Sequence, residues 1–174
     1  LVIVTSDHAN SYMRLLTPLG AGDLPEQVLG ASGFEYPGGE VFYRTGGHTN
    51  ELVTLWARGA GSRILGEEAG KHYPETEILD NTQIKPIIER AALEAGARHI
   101  ILLIGDGMQM AHEVAASRYL FGENEGLSWH QWPALSDGWG GYAATWDIDT
   151  YNLYAGKNGQ PAYDATGYDP MIGY

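Results

Sequence analysis

With 174 residues, 44% hydrophobic and 18% charged, the chain has material for one globular domain with a core and too little for two ordinary ones. Ten basic residues against 22 acidic ones give a net charge of −12, which argues against a protein held on nucleic acid by phosphate contacts. An anionic substrate would need a local positive centre such as a bound metal ion. The absence of cysteine excludes disulfides, thiolate metal sites and cysteine nucleophiles, and no apolar run is long enough to span a bilayer.

Leu1 to Thr5 is a short apolar, β-branched run, expected to be a strand, that leads into Ser6-Asp7-His8. It opens without Met or a basic segment and already inside the strand, so a cleaved or trimmed N-terminus is expected. From Thr17 to Gly47 the density of Gly and Pro predicts a long loop or a pair of weak strands, with Glu40 to Arg44 the best strand candidate. Glu51 to Ala57 reads as a second core strand, stopped by Arg58-Gly59-Ala60-Gly61.

Asp80-Asn81-Thr82 offers N-caps for a helix whose apolar positions Ile84, Ile87, Ile88, Ala91, Ala92 and Ala95 follow helical spacing. Pro86 falls in or near its first turn, where a missing N–H matters least, and Gly96 ends it. Ile100 to Ile104 is a continuous apolar run of the kind buried on both faces of a parallel sheet, closed by Gly105-Asp106-Gly107. Met108 to Leu120 predicts a helix with Ala111, Val114, Ala115 and Tyr119 on one side. Beyond residue 126 the chain holds all but one of its tryptophans; one strand around Tyr142 to Trp146 and otherwise irregular structure are expected. The pattern is that of a single α/β domain over residues 1–174, with a largely parallel sheet flanked by helices.

Two of the strands end in groups with metal-binding chemistry: Asp7 and His8 after the first, Asp106 after the apolar run at 100–104. Ligands in open α/β sheets bind outside the carboxyl ends of strands, so these groups are expected to face one crevice. Two carboxylates converging without a cation repel, and one takes up a proton. With a neutral imidazole added, the oxygen and nitrogen set suits Zn²⁺, with three protein ligands and an open fourth position. Each motif alone has a plainer reading. Asp-His after a strand is also ordinary turn chemistry, as is Gly-Asp-Gly, and His48 by itself reads as a loop histidine. His99 is expected to begin a strand, His112 to lie on a helix surface, and His130, between Trp129 and Trp132, to pack against the domain or to form an aromatic platform. Asp164 and Asp169 could suit Ca²⁺, but their spacing matches no calcium loop.

Taken together, Ile104-Gly105-Asp106-Gly107-Met108, Thr5-Ser6-Asp7-His8 and Gly47-His48-Thr49 resemble three signatures of the alkaline phosphatase family. The resemblance extends into the flanking strands and the Asn81-Thr82-Gln83-Ile84 helix start. It implies a zinc- and magnesium-dependent hydrolase of phosphate monoesters working through a phosphoserine. It also implies that Asp106 bridges the second zinc and the magnesium, that Asp7 and His8 complete that zinc site, and that His48 ligates the first zinc. The implied partners are phosphate esters or inorganic phosphate, with a homo-oligomer or complementing chain compatible, and the implied location is extracellular or periplasmic.

Two departures qualify this. The order is permuted: residues 1 to about 95 resemble the family's C-terminal part and residues from 97 its N-terminal part, joined at Glu94-Ala95-Gly96-Ala97. The family's middle is missing, and with it the Asp-Ser-Ala nucleophile motif, the phosphate-binding Arg, the remaining magnesium ligands, and the Asp and His that complete the first zinc site. The catalytic nucleophile is therefore unidentified, and a non-catalytic metal- or ligand-binding module is the alternative expectation.

Overall fold

The apolar start of the chain forms strand β1 (Val2–Ser6). The Gly- and Pro-rich stretch that follows yields only short pieces: β2 (Ala9–Asn10), β3 (Arg14–Leu15), β4 (Val28–Gly30), β5 (Gly33–Glu35), β6 (Val41–Phe42) and β7 (His48–Thr49). They close three antiparallel ladders, β2–β7, β3–β6 and β4–β5. Then come β8 (Val53–Arg58), α1 (Arg63–Glu68), β9 (Ile78–Asp80) and α2 (Ile84–Glu94). The remainder is β10 (Ile101–Gly105), α3 (Met110–Phe121), β11 (Gly138–Ala144) and α4 (Ile148–Lys157). This computed structural model describes residues 1–31 and 33–172.

The architecture is mixed α/β. A five-stranded sheet has the order β10-β1-β8-β11-β9. Four strands run the same way, and β8 alone is antiparallel to its neighbours β1 and β11. One face carries Ile3, Leu55, Ala57, Leu79 and Ala143 against Ile64 and Leu65 of α1 and Ile87 and Ala91 of α2. Each large aliphatic side chain fully buried there stabilises the fold by roughly 1.5–3 kcal/mol. The turn before α1 lies so close to α2 that a Cβ on Gly61 would fall 2.4 Å from the Ala91 Cβ. A second cluster joins Tyr73, Ile78, Trp146, Tyr151 and Ala155 around α4. No helix among the described residues is long and apolar enough to cross a membrane.

The start of α2 follows its sequence signal. Asp80 accepts from the Thr82 N–H, and Gln83 reaches back to the Asp80 N–H at 2.7 Å, a reciprocal cap. Three features depart from or add to the sequence reading. The run at 100–104 is not buried on both faces, because β10 is an edge strand paired only with β1, and Ile101 to Ile104 are 38–56% exposed. An apolar run signals burial but cannot show whether a second neighbour exists.

The helix after it does not bury its apolar side. α3 turns Glu113 and Ser117 inward, because partners for both converge there, and leaves Tyr119 exposed. Finally, α1, β9 and α4 were not expected; the first two are too short for a periodic signal, and α4 is announced mainly by its cap, Asp147 accepting from the Thr150 N–H at 2.7 Å.

Candidate metal centre

Parallel pairing brings the two strand ends together. The β1–β10 register aligns Ser6 with Gly105, so Asp7 and Asp106 leave the sheet side by side. Ser6, buried, fastens this junction: its Oγ lies 2.6 Å from the Gly105 carbonyl and 2.7 Å from that of His8, and its single proton is shared between them. The chain then turns back through β2, which places Ala9 and Asn10 opposite Thr49 and His48 of β7.

Within this frame the ligand atoms are aimed. His8 is buried, and its Nδ1 lies 3.0 Å from the Ala9 carbonyl. A carbonyl only accepts, so Nδ1 carries the proton and Nε2 presents its lone pair, the usual outer-sphere arrangement for a metal-binding histidine. Nε2 points at two carboxylates, 3.3 Å from Asp106 Oδ1 and 3.6 Å from Asp7 Oδ2. The three ligand atoms lie within 4.8 Å of one another. Two ligands each about 2.05 Å from a tetrahedral zinc ion sit roughly 3.3 Å apart, so the spacing fits that ion.

Asp7 divides its oxygens between two tasks. Oδ1 accepts the backbone N–H groups of His8 and Gly107, each at 3.0 Å, leaving Oδ2 for the cluster. Burial opposes ionisation of this carboxyl. The Gly107 hydrogen bond, the neighbouring His8 and further backbone N–H groups outweigh it and hold the carboxyl below its ordinary value of 3.8. Gly107 must be glycine: its φ is +67°, and a Cβ would lie 3.2 Å from the Asn10 Cβ and 3.5 Å from the His8 ring. Asp106 is 91% exposed, so its second oxygen is open to solvent or to another ion.

His48 reaches the same place without entering the three-residue cluster. It is exposed on β7, and its ring stacks on His8 with centroids 3.5 Å apart and planes 21° apart. Three other histidines stand outside the cluster. His99 is exposed ahead of β10 and its carbonyl accepts from the Leu1 amino terminus at 2.9 Å. His112 is not a free surface residue: it is half-buried, its Nδ1 accepts from the Gln109 N–H at 3.3 Å, and burial lowers its pKa below the ordinary histidine value. Asp164 and Asp169 accept the backbone N–H groups of Thr166 and Met171, and neither joins a metal-type cluster among the described residues.

A buried carboxylate on α3 has no signal in the sequence. Glu113 on α3 accepts from Trp56 Nε1 at 3.0 Å, Trp129 Nε1 at 3.1 Å, His130 Nε2 at 3.0 Å and the Thr54 hydroxyl. Its partners come from β8 and from a 3-10 segment at Ser128–Ala134, far apart in the chain, so no local spacing could have revealed it. His130 thus packs into the domain. No protein-family model matches the chain, and no curated protein or solved structure matches it.

Proposed function

We propose that Asp7, His8 and Asp106 hold a divalent metal ion, zinc by their donor set, in the metal centre of a phosphate monoester hydrolase of alkaline-phosphatase type. The observation that carries the proposal is the convergence of His8 Nε2 on two carboxylates, with Nδ1 already committed to a carbonyl. Zinc held there supplies a Lewis acid for a phosphoryl oxygen and a positive centre on an acidic chain. The protein's own part is orientation. Ala9 fixes the imidazole, and the His8 and Gly107 N–H groups fix Asp7.

The reaction class rests on the motif resemblance. In this reading Asp106 also faces a magnesium ion through its exposed side, and His48 belongs to a second zinc site. The permuted order belongs to the same reading. It is supported by the parallel pairing of β1, from the family's C-terminal part, with β10, from its N-terminal part. An extracellular or periplasmic location follows from the resemblance alone.

One observation favours a second reading, a metal-binding module without turnover. The serine beside the ligand pair, Ser6, is buried with its hydroxyl given to carbonyls, so it is not poised as a nucleophile. Hydrolysis of 4-nitrophenyl phosphate at alkaline pH, with zinc and magnesium added, separates the two. Turnover that disappears in the Asp7→Ala/His8→Ala variant supports the hydrolase. Zinc binding without turnover selects the second reading, and failure to retain zinc rejects both.

A further inference from the structure

The open edge of the five-stranded sheet has a hydrogen-bonding pattern fixed by its one neighbour. β10 pairs in parallel with β1 alone, and the Ile101 N–H donates to the Leu1 carbonyl at 2.9 Å. In a parallel ladder a residue gives its N–H and its C=O to the same neighbour, and the next residue turns both the other way. Ile101, Leu103 and Gly105 therefore face β1, while the backbone groups of Leu102 and Ile104 point into the open edge.

The side chains along this edge are poorly covered. Leu102 and Ile104 line a groove of about 590 Å³ with Ile84 and Ile88 of α2. Ile101 and Leu103, on the opposite face, are 51% and 50% exposed. Residues 100–105 contain neither charge nor proline, the usual guards of an edge strand. Charge stands only at the two ends, Arg98 ahead of the strand and Asp106 after it. Arg98 is exposed and forms no salt bridge among the described residues, and the Asp106 side chain is 91% exposed.

These features complement themselves. Two copies related by a two-fold axis join such edges in antiparallel fashion, and the outward-pointing residues then meet in hydrogen-bonded pairs. A register centred on Leu102 pairs Leu102 with its own copy and Ile100 with Ile104. It also brings Arg98 of one copy towards Asp106 of the other at both flanks. A register centred on Leu103 sets Asp106 opposite Ile100 and Arg98 opposite Met108, with no charge matched. The net charge of −12 on each chain opposes association in general, but this seam is uncharged along its length and opposite in sign at its ends.

We propose that β10 is a self-association edge, at which two copies of the chain pair antiparallel about Leu102 and continue their five-stranded sheets into one of ten strands.

Sedimentation equilibrium of the unaltered chain tests this, with EDTA present so that no metal ion bridges copies and the outcome is independent of the zinc reading. A dimer with a Kd of about 10–100 μM is expected, and a monomer alone at about 200 μM overturns the proposal. That result stands even if the variants below fail to fold. The chain has no cysteine, so a single introduced one reports the register. The two copies of residue 102 are expected to have Cα atoms about 5.5 Å apart, within disulfide reach, and those of residue 103 about 8 Å. Oxidised Leu102→Cys should therefore give about ten times more cross-linked dimer than Leu103→Cys. Arg98→Asp, which sets two carboxylates together at each flank, should weaken the dimer about five-fold. Equal cross-linking of the two cysteine variants, or an unchanged Kd for Arg98→Asp, overturns the pairing about Leu102.

Discussion

Replacing Glu113 tests whether the polar side of α3 holds the second face of the sheet. Glu113 is 2% exposed, and both its oxygens are used, accepting from Thr54, Trp56, Trp129 and His130. Glu113→Leu keeps the volume and removes all four acceptor contacts. Thr54 is 1% exposed and the His130 side chain 4%, so both are left buried and unpaired, at about 1–3 kcal/mol each. Trp56 and Trp129 are half-buried and recover part of their loss from water. Relief from burying a carboxylate offsets some of the total. The net expectation is a loss of about 3–5 kcal/mol, a large share of the roughly 5–15 kcal/mol typical of a whole domain. Glu113→Gln keeps one acceptor oxygen and should lose about 1–3 kcal/mol. Urea unfolding followed by tryptophan fluorescence measures both, with Trp56 and Trp129 as reporters. A loss below about 1 kcal/mol for Glu113→Leu refutes the reasoning.

Gly107→Ala forces a side chain into a left-handed backbone position against Asn10 and His8, and should lower zinc affinity about ten-fold or more, read by competition with a chromogenic chelator. Leu103→Lys, on the exposed edge strand, should change stability by less than about 1 kcal/mol and reduce light scattering at high concentration. A loss above about 3 kcal/mol would mean that β10 is buried after all. Burial, with the Tyr36 hydroxyl beside it, pushes the Tyr43 phenol up to about 12 from its ordinary 10. The fold therefore favours the neutral phenol. The stability it contributes is complete below pH 10 and is lost as pH rises towards about 12. A difference titration at 295 nm between the parent and Tyr43→Phe should show that late transition, and a transition complete by pH 10 would contradict it.

The centre was legible in the sequence because its parts are local. A β-branched run followed by Asp7-His8, and an apolar run followed by Gly105-Asp106-Gly107, each give a strand end, and parallel pairing does the rest. Sheet position was not legible. The run at 101–104 has the composition of a central strand and lies at the edge, since neighbours are set by the whole chain rather than by the strand itself. The inward face of α3 was hidden for the same reason. Glu113 is stabilised by groups 59 residues before it and 17 after it, and helical periodicity of apolar residues pointed the other way. His48 was legible as a histidine placed before a strand, and β2–β7 pairing explains why it arrives at His8, but its stacked geometry has no signature in sequence.

Zinc content after exhaustive dialysis against buffer with trace zinc, measured by atomic emission on the parent chain and on Asp7→Ala/His8→Ala, tests the metal centre most directly. The geometry predicts about one tightly held zinc per chain in the parent and none held tightly in the variant, with both chains folded by circular dichroism. Equal zinc in the two proteins, or none in the parent, contradicts it.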